Sequence, residues 1–438
     1  QAELPIAYDP FFQAATPAGR QLYLAVLRDY VRQMRNHPSV LAWCMGNEQA
    51  GGFALGPELV ALARALDPTR PVIDTDGVGL GIDRSTLDYL PVQFNEGVLP
   101  WGRTRSKYHL DFSPRPIVVH EMGNISVLPD PASLPSYTGL IRPFWIEQMA
   151  DAVRRQQLES WLGSMLDASR RLQASLLKLN IESARLSPAV DGYDQWLFRD
   201  YWTQSTGFVD QFDRSRALTP ERARQFNGPA AILWDRDCVS YRGGKPIAIR
   251  LYVADFRSAS DGPIGPVMAH LGGREVVLKS PEDAGGRGRL GPWVGEVEAP
   301  RPERAAALTL DVQAGDVRNS WPLWVYPDAP TPSGDVLVTR RLSRGVVDRL
   351  AAGARVLVTD ESRVFPTLVA AFKPAWWKGD EASDHVYGNL FASHPALRDF
   401  PSEGYGDLQT FRLLDRRPVV LLDELPTRVD PIIWSLDV

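Results

Sequence analysis

The stretch Arg35-Asn36-His37-Pro38-Ser39-Val40-Leu41-Ala42-Trp43-Cys44-Met45-Gly46-Asn47-Glu48 decides the fold that the first half of the chain suggests. Its polar beginning and Pro38 predict the end of a helix and a tight turn. Val40 to Met45 is an almost unbroken apolar run, which is typical of a parallel strand covered on both faces. Asn47 and Glu48 follow where the run stops. Barrel enzymes place their chemistry at the carboxyl ends of parallel strands, so Glu48 is a candidate catalytic residue.

A second stretch, Pro116-Ile117-Val118-Val119-His120-Glu121, repeats this pattern of a short apolar run that ends in a carboxylate. Met122-Gly123-Asn124 then turns the chain away. Two carboxylates at the tips of parallel strands are the pair that glycoside hydrolysis requires, one protonated and one ionised. The simpler alternative is that Glu48 ends an ordinary strand in solvent and that Glu121 lies in a surface loop.

Composition narrows the class of protein and its partners. The chain has 438 residues, 44% of them hydrophobic and 23% charged, which is typical of a globular protein with roughly two to four domains. The net charge of −5 and the lack of a long Lys/Arg run predict no nucleic-acid partner. No apolar run approaches the ~20 residues of a membrane helix, so no membrane partner is expected. The two cysteines, Cys44 and Cys238, predict a core thiol rather than a disulfide.

Residues 1–215 alternate strand-like and helix-like segments, which predicts an α/β fold of the (β/α)8-barrel type. The predicted helices are one capped by Thr16, one over Gly56 to Leu66, and a long one around Asp151 to Ser183. Six strands are predicted, ending near Asp9, Glu48, Asp74, Phe94, Glu121 and Phe198. A complete barrel has eight, and the chain begins abruptly at Gln1, so we expect its first two strands to be missing.

This incompleteness leads to further expectations. The strand near Pro5 to Asp9 and the strand near Trp196 should each have one unpaired side, and the chain alone should be inactive or poorly soluble. The cellular compartment stays open between the bacterial periplasm or exterior and the cytoplasm, as does the oligomeric state.

The remaining sequence predicts two further domains. Residues 228–327 hold alternating β-rich segments separated by Gly and Pro clusters, which predict an immunoglobulin-like β-sandwich. A Pro-rich linker at 329–334 follows. Residues 334–438 return to α/β, with strands at 335–338 and 355–359 around a helix at 343–352, a βαβ unit.

The two carboxylate segments resemble those of retaining glycoside hydrolase family 2, the β-galactosidase and β-glucuronidase family. In that family a similar Arg-Asn-His-Pro-Ser stretch leads into a strand ending Gly-Asn-Glu. The resemblance implies an exo-β-glycosidase, β-galactosidase-like, that acts on a carbohydrate by double displacement. Glu48 would be the acid/base and Glu121 the nucleophile, on the fourth and seventh barrel strands. Met122 departs from the Glu-Tyr-Gly of many members.

The resemblance also implies which residues bind the sugar. Asn47 would hydrogen-bond the 2-hydroxyl, although a structural turn residue is the alternative, and His120 would line the pocket unless it is a packed core histidine. Trp196 would form the floor of the sugar site, with Trp202 as its rival. Hydroxyl-binding candidates at other strand ends are Asp9, Asp76 and Gln93. The resemblance implies no cofactor, although some relatives bind Mg²⁺ or Na⁺.

The sequence also allows interpretations other than a glycosidase, and it contains other motifs. A non-catalytic carbohydrate-binding or scaffold protein on a degenerate barrel is the main alternative, and a hydrolase of another barrel family is the next. Gly286 to Gly291 fits G-x-G-x-x-G but lacks the βαβ context of a dinucleotide site. The sequon Asn124-Ile125-Ser126 lies too close to Glu121 for a glycan. Asp235 to Cys238 has no nearby His, and no metal site is predicted. The C-terminal α/β segment resembles amidotransferase-like domains but contains no Cys.

Overall fold

The computed structural model describes residues 2–3, 16–47, 55–76, 87–93, 114–201, 205–328, 335–359, 365–372 and 386–436. The chain forms two compact units, the first built from Gln1–Asn124 and Leu179–Phe198, the second from Ile125–Lys178 and Arg199–Val438. The domain boundaries expected from the sequence, at residues 215, 228, 327 and 334, stay predictions.

Among its described residues, the first unit contains six short strands and two complete helices. They are β1 (Ala2–Glu3), α1 (Pro17–Met34), β2 (Trp43–Cys44), α2 (Gly56–Leu66), β3 (Val72–Ile73), β4 (Leu90–Gln93), β5 (Ile117–Met122) and β6 (Gly192–Gln195). The strands form two parallel sheets, in the orders β1-β2-β3 and β4-β5-β6. Within the described residues, β1 pairs only with β2, and β6 only with β5. Most of the strand expected over Pro5 to Asp9 lies outside those residues, and barrel closure stays a prediction.

Helix α1 begins as predicted, because Thr16 is its N-cap and accepts a hydrogen bond from Gly19 N at 3.0 Å. Pro17 lies in the first turn, where the missing N–H costs nothing. At the start of the helix Leu22 is 62% exposed, while Tyr23 next to it is buried. Helices α1 and α2 share one apolar cluster with the strand residues Trp43 and Val72.

The segment that leads into strand β2 is held by Arg70. Arg70 donates from Nε to Val40 O at 2.6 Å and from a terminal nitrogen to His37 O at 3.3 Å. The same guanidinium contacts Asp67, which also accepts from Trp43 Nε1 at 3.0 Å. Burial opposes the charge on Asp67, but these hydrogen bonds outweigh it and lower the pKa of its carboxyl to about 2. The Asn-His-Pro turn is therefore tied to the end of α2.

The single helix predicted over Asp151 to Ser183 is wrong, because two helices occupy this region, α3 (Phe144–Arg155) and α4 (Glu159–Leu186). Gln157 has a φ of +54° between them. Leu158 N donates to Val153 O at 2.9 Å and Gln157 N to Arg154 O at 3.2 Å. This is a Schellman motif with glutamine where glycine is usual, so the sequence contains no glycine to indicate the break.

The second unit contains a two-sheet β-sandwich preceded by helix α5 (Pro220–Asn227). Its strands are β7 (Ala230–Trp234), β8 (Ser240–Arg242), β9 (Pro246–Asp255), β10 (Met268–Leu271), β11 (Arg274–Val276), β12 (Gly288–Glu298), β13 (Ala306–Ala314) and β14 (Val317–Tyr326). One sheet has the order β11-β10-β13-β14-β8 and the other β12-β9-β7. Both sheets contribute to one apolar core, which includes the buried Trp234, Trp293 and Trp321. The immunoglobulin-like classification stays a prediction.

The C-terminal part of the second unit has short elements. They are β15 (Val336–Thr339), α6 (Arg344–Ala351), β16 (Arg355–Val358), β17 (Thr367–Ala370), β18 (Asn389–Phe391), α7 (Phe411–Leu414), β19 (Arg417–Val420) and β20 (Ile433–Ser435). Strands β15 and β16 pair in parallel with α6 between them, which confirms the predicted βαβ order. Among the helices of the described chain, none combines the length and apolar character needed to cross a bilayer.

Candidate active site

Strand β5 ends in two buried polar residues, His120 and Glu121, which are 4% and 3% exposed. Glu121 has a φ of +50°, in the left-handed region that only a well-supported non-glycine residue adopts. Its backbone N–H donates to Asp194 Oδ1 at 2.8 Å, and its carbonyl accepts from Asn124 Nδ2 at 3.1 Å. Gly123 follows with a φ of +83° and turns the chain. Neighbouring side chains thus hold the backbone of Glu121 from both sides.

The ring of His120 lies among three carboxylates. Its Nδ1 is 3.1 Å from Asp76 Oδ2 and 3.6 Å from Asp194 Oδ2, and its Nε2 is 3.4 Å from Glu121 Oε1. Burial alone would lower the pKa of His120, but Asp194, Asp76 and Glu121 outweigh it and raise that pKa to about 12. His120 is therefore an imidazolium at neutral pH, and it compensates part of the negative charge at this strand tip.

Asp76 and Asn47 come from the other parallel sheet of the same unit. Asp76 N donates to Gly46 O at 3.0 Å, and Asn47 and Asp76 form a parallel bridge just beyond β2 and β3. Asp76 is 1% exposed, and its carboxylate reaches His120 at the end of β5. The carboxyl ends of strands from both sheets therefore meet at one place, as expected for parallel strands of a barrel-type fold.

The predicted site residues divide into those that the structure brings together and those it does not describe. Asp76, His120 and Glu121 form one cluster, and Asn47 joins it through its backbone bridge with Asp76. Trp196 follows β6, is half-buried, and donates from its backbone N–H to Met122 O at 3.0 Å; the peptide bond after it is cis. The backbone of Gln93 pairs with His120, while its side chain is outside the described part. The predicted residues outside the described ranges are Asp9, Glu48 and Trp202.

Sequence reasoning missed Asp194. The carboxylate lies on β6, contacts both His120 and the backbone of Glu121, and is 73 residues from Glu121 along the chain. Asp194 lies early in the strand predicted to end near Phe198, and no apolar run precedes it. The pattern that identified Glu48 and Glu121 therefore does not single it out.

The sequence also predicted no metal site, whereas one group in the described chain has the donor spacing of such a site. Asp76, His120 and Asp194 each offer a donor atom, and these atoms lie within 4.8 Å of one another. Carboxylate and imidazole donors suit a divalent cation. An ion at this position would have to displace the proton of His120, which already compensates the same carboxylates.

Comparison with known proteins agrees with the resemblance seen in the sequence. Residues 9–124 match the family model described as "Glycosyl hydrolases family 2, TIM barrel domain", and residues 337–438 match a domain of unknown function (DUF8487). A protein named "Putative beta-glucuronidase" from Formosa agariphila is 42% identical over 55 residues, which is 13% of this chain and 5% of that protein.

Among solved structures, β-glucuronidase 3 of Bacteroides uniformis is 17% identical with a TM-score of 0.35, over 72% of this chain and 40% of that one. The exo-chitosanase of Amycolatopsis orientalis is 13% identical with a TM-score of 0.42, over 73% and 41%. The chain thus spans less than half the length of these relatives. On the family match and the sequence relative, residues 9–124 of the chain are similar to the barrel domain of glycoside hydrolase family 2.

Proposed function

We propose that the protein is a retaining exo-β-glycosidase in which Glu121 is the nucleophile and Glu48 the acid/base. The observation that carries the proposal is the environment of Glu121, a buried carboxylate at the tip of a parallel strand with the His120 imidazolium 3.4 Å from its Oε1. A nucleophilic carboxylate must be ionised when the substrate binds, and an adjacent cation favours that form.

The proposed reaction has two displacements. Glu121 attacks the anomeric carbon while Glu48 gives its proton to the departing glycosidic oxygen, which leaves a sugar ester on Glu121. Glu48 then removes a proton from water as that water attacks the anomeric carbon, and the bond to Glu121 breaks. Asp194 supports the geometry by accepting the hydrogen bond from Glu121 N.

The charge of the cluster around His120 affects which sugar the site would bind. Three carboxylates, of Asp76, Glu121 and Asp194, surround the single imidazolium of His120, so the described cluster is negatively charged. A uronate would add a further negative charge, whereas a neutral hexose would not. The charge therefore supports a β-galactoside-type neutral substrate. A β-glucuronide, suggested by the name of the Formosa agariphila relative, is the second candidate.

The decisive experiment is hydrolysis of aryl β-galactoside and aryl β-glucuronide by the protein, with NMR of the sugar released first. We expect faster hydrolysis of the galactoside and a first-formed β-anomer. Glu121→Ala should abolish turnover, and azide should restore it as a glycosyl azide of inverted configuration. The matched control is Glu275→Ala, which removes an exposed carboxylate on β11 of the sandwich and should retain activity.

Two results would contradict the proposal. A first-formed α-anomer would rule out Glu121 as a nucleophile that forms a covalent intermediate. No turnover of any aryl glycoside, with retained binding of the sugar, would favour the alternative of a non-catalytic carbohydrate-binding protein. The mechanism also requires the carboxyl groups of Glu48 and Glu121 to lie about 5–5.5 Å apart. An experimental structure that describes Glu48 tests this distance.

A further inference from the structure

The second unit contains a cavity of about 200 Å³ that has no part in the proposed chemistry. This volume lies below the roughly 300–1,000 Å³ of drug-sized ligand sites, so only a small ligand fits. Its walls come from residues between 128 and 146, from Arg170 of α4, from Asp200 and from residues between 205 and 216, all of which belong to the second unit.

The charged side chains of the cavity are three arginines and three aspartates, and each arginine is paired with one aspartate. Arg170 contacts Asp130 at 2.7 Å, Arg214 contacts Asp210 at 2.5 Å, and Arg216 contacts Asp200. Because the charges cancel within the cavity, no net field attracts an anion or a cation. The cavity instead presents planar hydrogen-bonding groups, which suit a neutral ligand with several hydroxyls.

One of these groups lacks an acceptor. Arg170 Nε is buried, and no atom of the described chain accepts a hydrogen bond from it, although the terminal nitrogen of the same guanidinium donates to Asp130. A buried N–H without an acceptor is costly, so such groups usually meet an oxygen of a ligand or of water. Tyr137 supplies a second donor. Burial first, and then Asp200 and Asp210, raise the pKa of its hydroxyl to about 12, so it stays protonated.

The aromatic part of the cavity is built around Tyr137. Its ring meets Trp145 at 6.2 Å and 90°, and Phe212 at 4.9 Å and 84° between centroids. Phe144 also packs edge-to-face with Trp145, at 5.5 Å and 88°, and both Tyr137 and Trp145 line the cavity. Aromatic faces are negative and attract the weakly positive C–H groups of a pyranose ring.

We propose that this cavity is a saccharide-binding site for a neutral pyranoside, which stacks on Trp145 or Tyr137 and accepts a hydrogen bond from the guanidinium of Arg170. The site consists of second-unit residues alone, and its occupation does not depend on the chemistry of Glu121.

The test is ¹⁹F NMR of the protein labelled with 5-fluorotryptophan, titrated with methyl β-galactopyranoside, methyl β-glucopyranoside, cellobiose and methyl β-glucuronide. The Trp145 resonance is assigned by its loss in Trp145→Phe. We expect at least one neutral sugar to shift this resonance in a saturable manner, and the glucuronide to bind no more tightly than the neutral sugar. Arg170→Met should weaken binding at least tenfold.

Arg142→Met is the matched control, since Arg142 is exposed, pairs with Glu147 and does not itself line the cavity. It should leave the titration unchanged, and an unchanged melting temperature shows that each variant is folded. The proposal is overturned if no neutral sugar moves the Trp145 resonance, or if Arg170→Met and the wild type bind equally. Tighter binding of the glucuronide would overturn the neutral-ligand assignment. An inactive enzyme whose Trp145 resonance still responds would refute the proposed glycosidase and leave this site standing.

Discussion

The β-sandwich has an apolar core, whereas the site-bearing sheet β4-β5-β6 buries charged groups. The sandwich has strands of up to 11 residues, and its core is a continuous apolar cluster that includes fully buried tryptophans. The site-bearing sheet has strands of four to six residues, and the end of its central strand buries an imidazolium against carboxylates. Removal of apolar surface from water stabilises the sandwich. The charge cluster at the end of β5 is stable only if its charged groups are well placed relative to one another.

This difference separates the part of the chain that stabilises the fold from the part that forms the candidate site. A buried charge cluster contributes little to net stability, because desolvation opposes the attraction between its members. Instead, such a cluster holds a carboxylate in one protonation state and one orientation. The sandwich contains no such cluster in its core, although Asp255 at the end of β9 is buried with Arg257 and Arg287 beside it. The predictions below test the contrast, from the largest expected effect to the smallest.

Trp293→Ala should have the largest effect, because this side chain is 1% exposed in the sandwich core. We expect a loss of about 3–5 kcal/mol in the free energy of unfolding, measured by urea denaturation. Val277→Ala is the control, since Val277 is 84% exposed and should change stability by less than ~0.5 kcal/mol. Similar losses for both variants would show that apolar burial does not hold the sandwich together.

His120→Asn should cost ~3 kcal/mol at neutral pH, because it leaves three carboxylates without their cation. The cost should depend on pH. The folded-state pKa is raised to about 12 from an ordinary 6.5, so the contribution of His120 is complete below pH 6.5 and is lost as pH rises toward 12. Above pH 6.5, the stability gap between wild type and variant should therefore shrink steadily as pH rises.

Urea denaturation of both proteins between pH 6 and 9 measures this gap. His270→Asn is the control, since His270 is exposed on β10 of the sandwich and should show a gap near zero throughout. A gap for His120→Asn that stays constant or widens with pH would contradict the imidazolium assignment.

Asp194→Ala should show whether Asp194 positions Glu121 or only stabilises the fold. Asp191→Ala is the matched control, because Asp191 makes an equivalent hydrogen bond to the other end of β5. Asp194 Oδ1 accepts from Glu121 N, and Asp191 Oδ2 accepts from Ile117 N at the other end of the same strand, both at 2.8 Å. Both residues are partly or largely exposed, so each alanine variant should cost only about 1 kcal/mol. Only Asp194→Ala should lower kcat, by roughly 10- to 100-fold with a smaller change in KM. Equal kcat losses for both variants would assign Asp194 a merely structural role.

Thr16→Ala should have the smallest effect, about 1 kcal/mol, because it removes only the N-cap bond to Gly19 of α1. Ser343→Ala is the matched control at the start of α6, where the N-cap side chain makes no capping hydrogen bond. Thermal denaturation should show a lower melting temperature for the first variant alone. An equal decrease in melting temperature for both variants would mean that the propensity of the substituted residue, rather than loss of the cap hydrogen bond, causes the effect.

Local features of the sequence determined much of the secondary structure. The Thr16-Pro17 pair predicted the start of α1, and Gly56 to Leu66 matches α2 at both ends. Gly353, with a φ of +88°, closes α6 near the predicted end, because a glycine C-cap is visible in the sequence. The equivalent closure of α3 at Gln157 was missed, since only the surrounding packing holds glutamine in that conformation.

The sequence also singled out His120 and Glu121, because a carboxylate after a buried apolar run is a local pattern. It did not predict what surrounds them. Asp76 and Asp194 reach His120 from strands 44 residues before it and 74 residues after it, and Arg170 meets Asp130 across the cavity of the second unit. Which charges share a pocket, and so which protonation state each one takes, depends on long-range packing. Only the tertiary structure decided that.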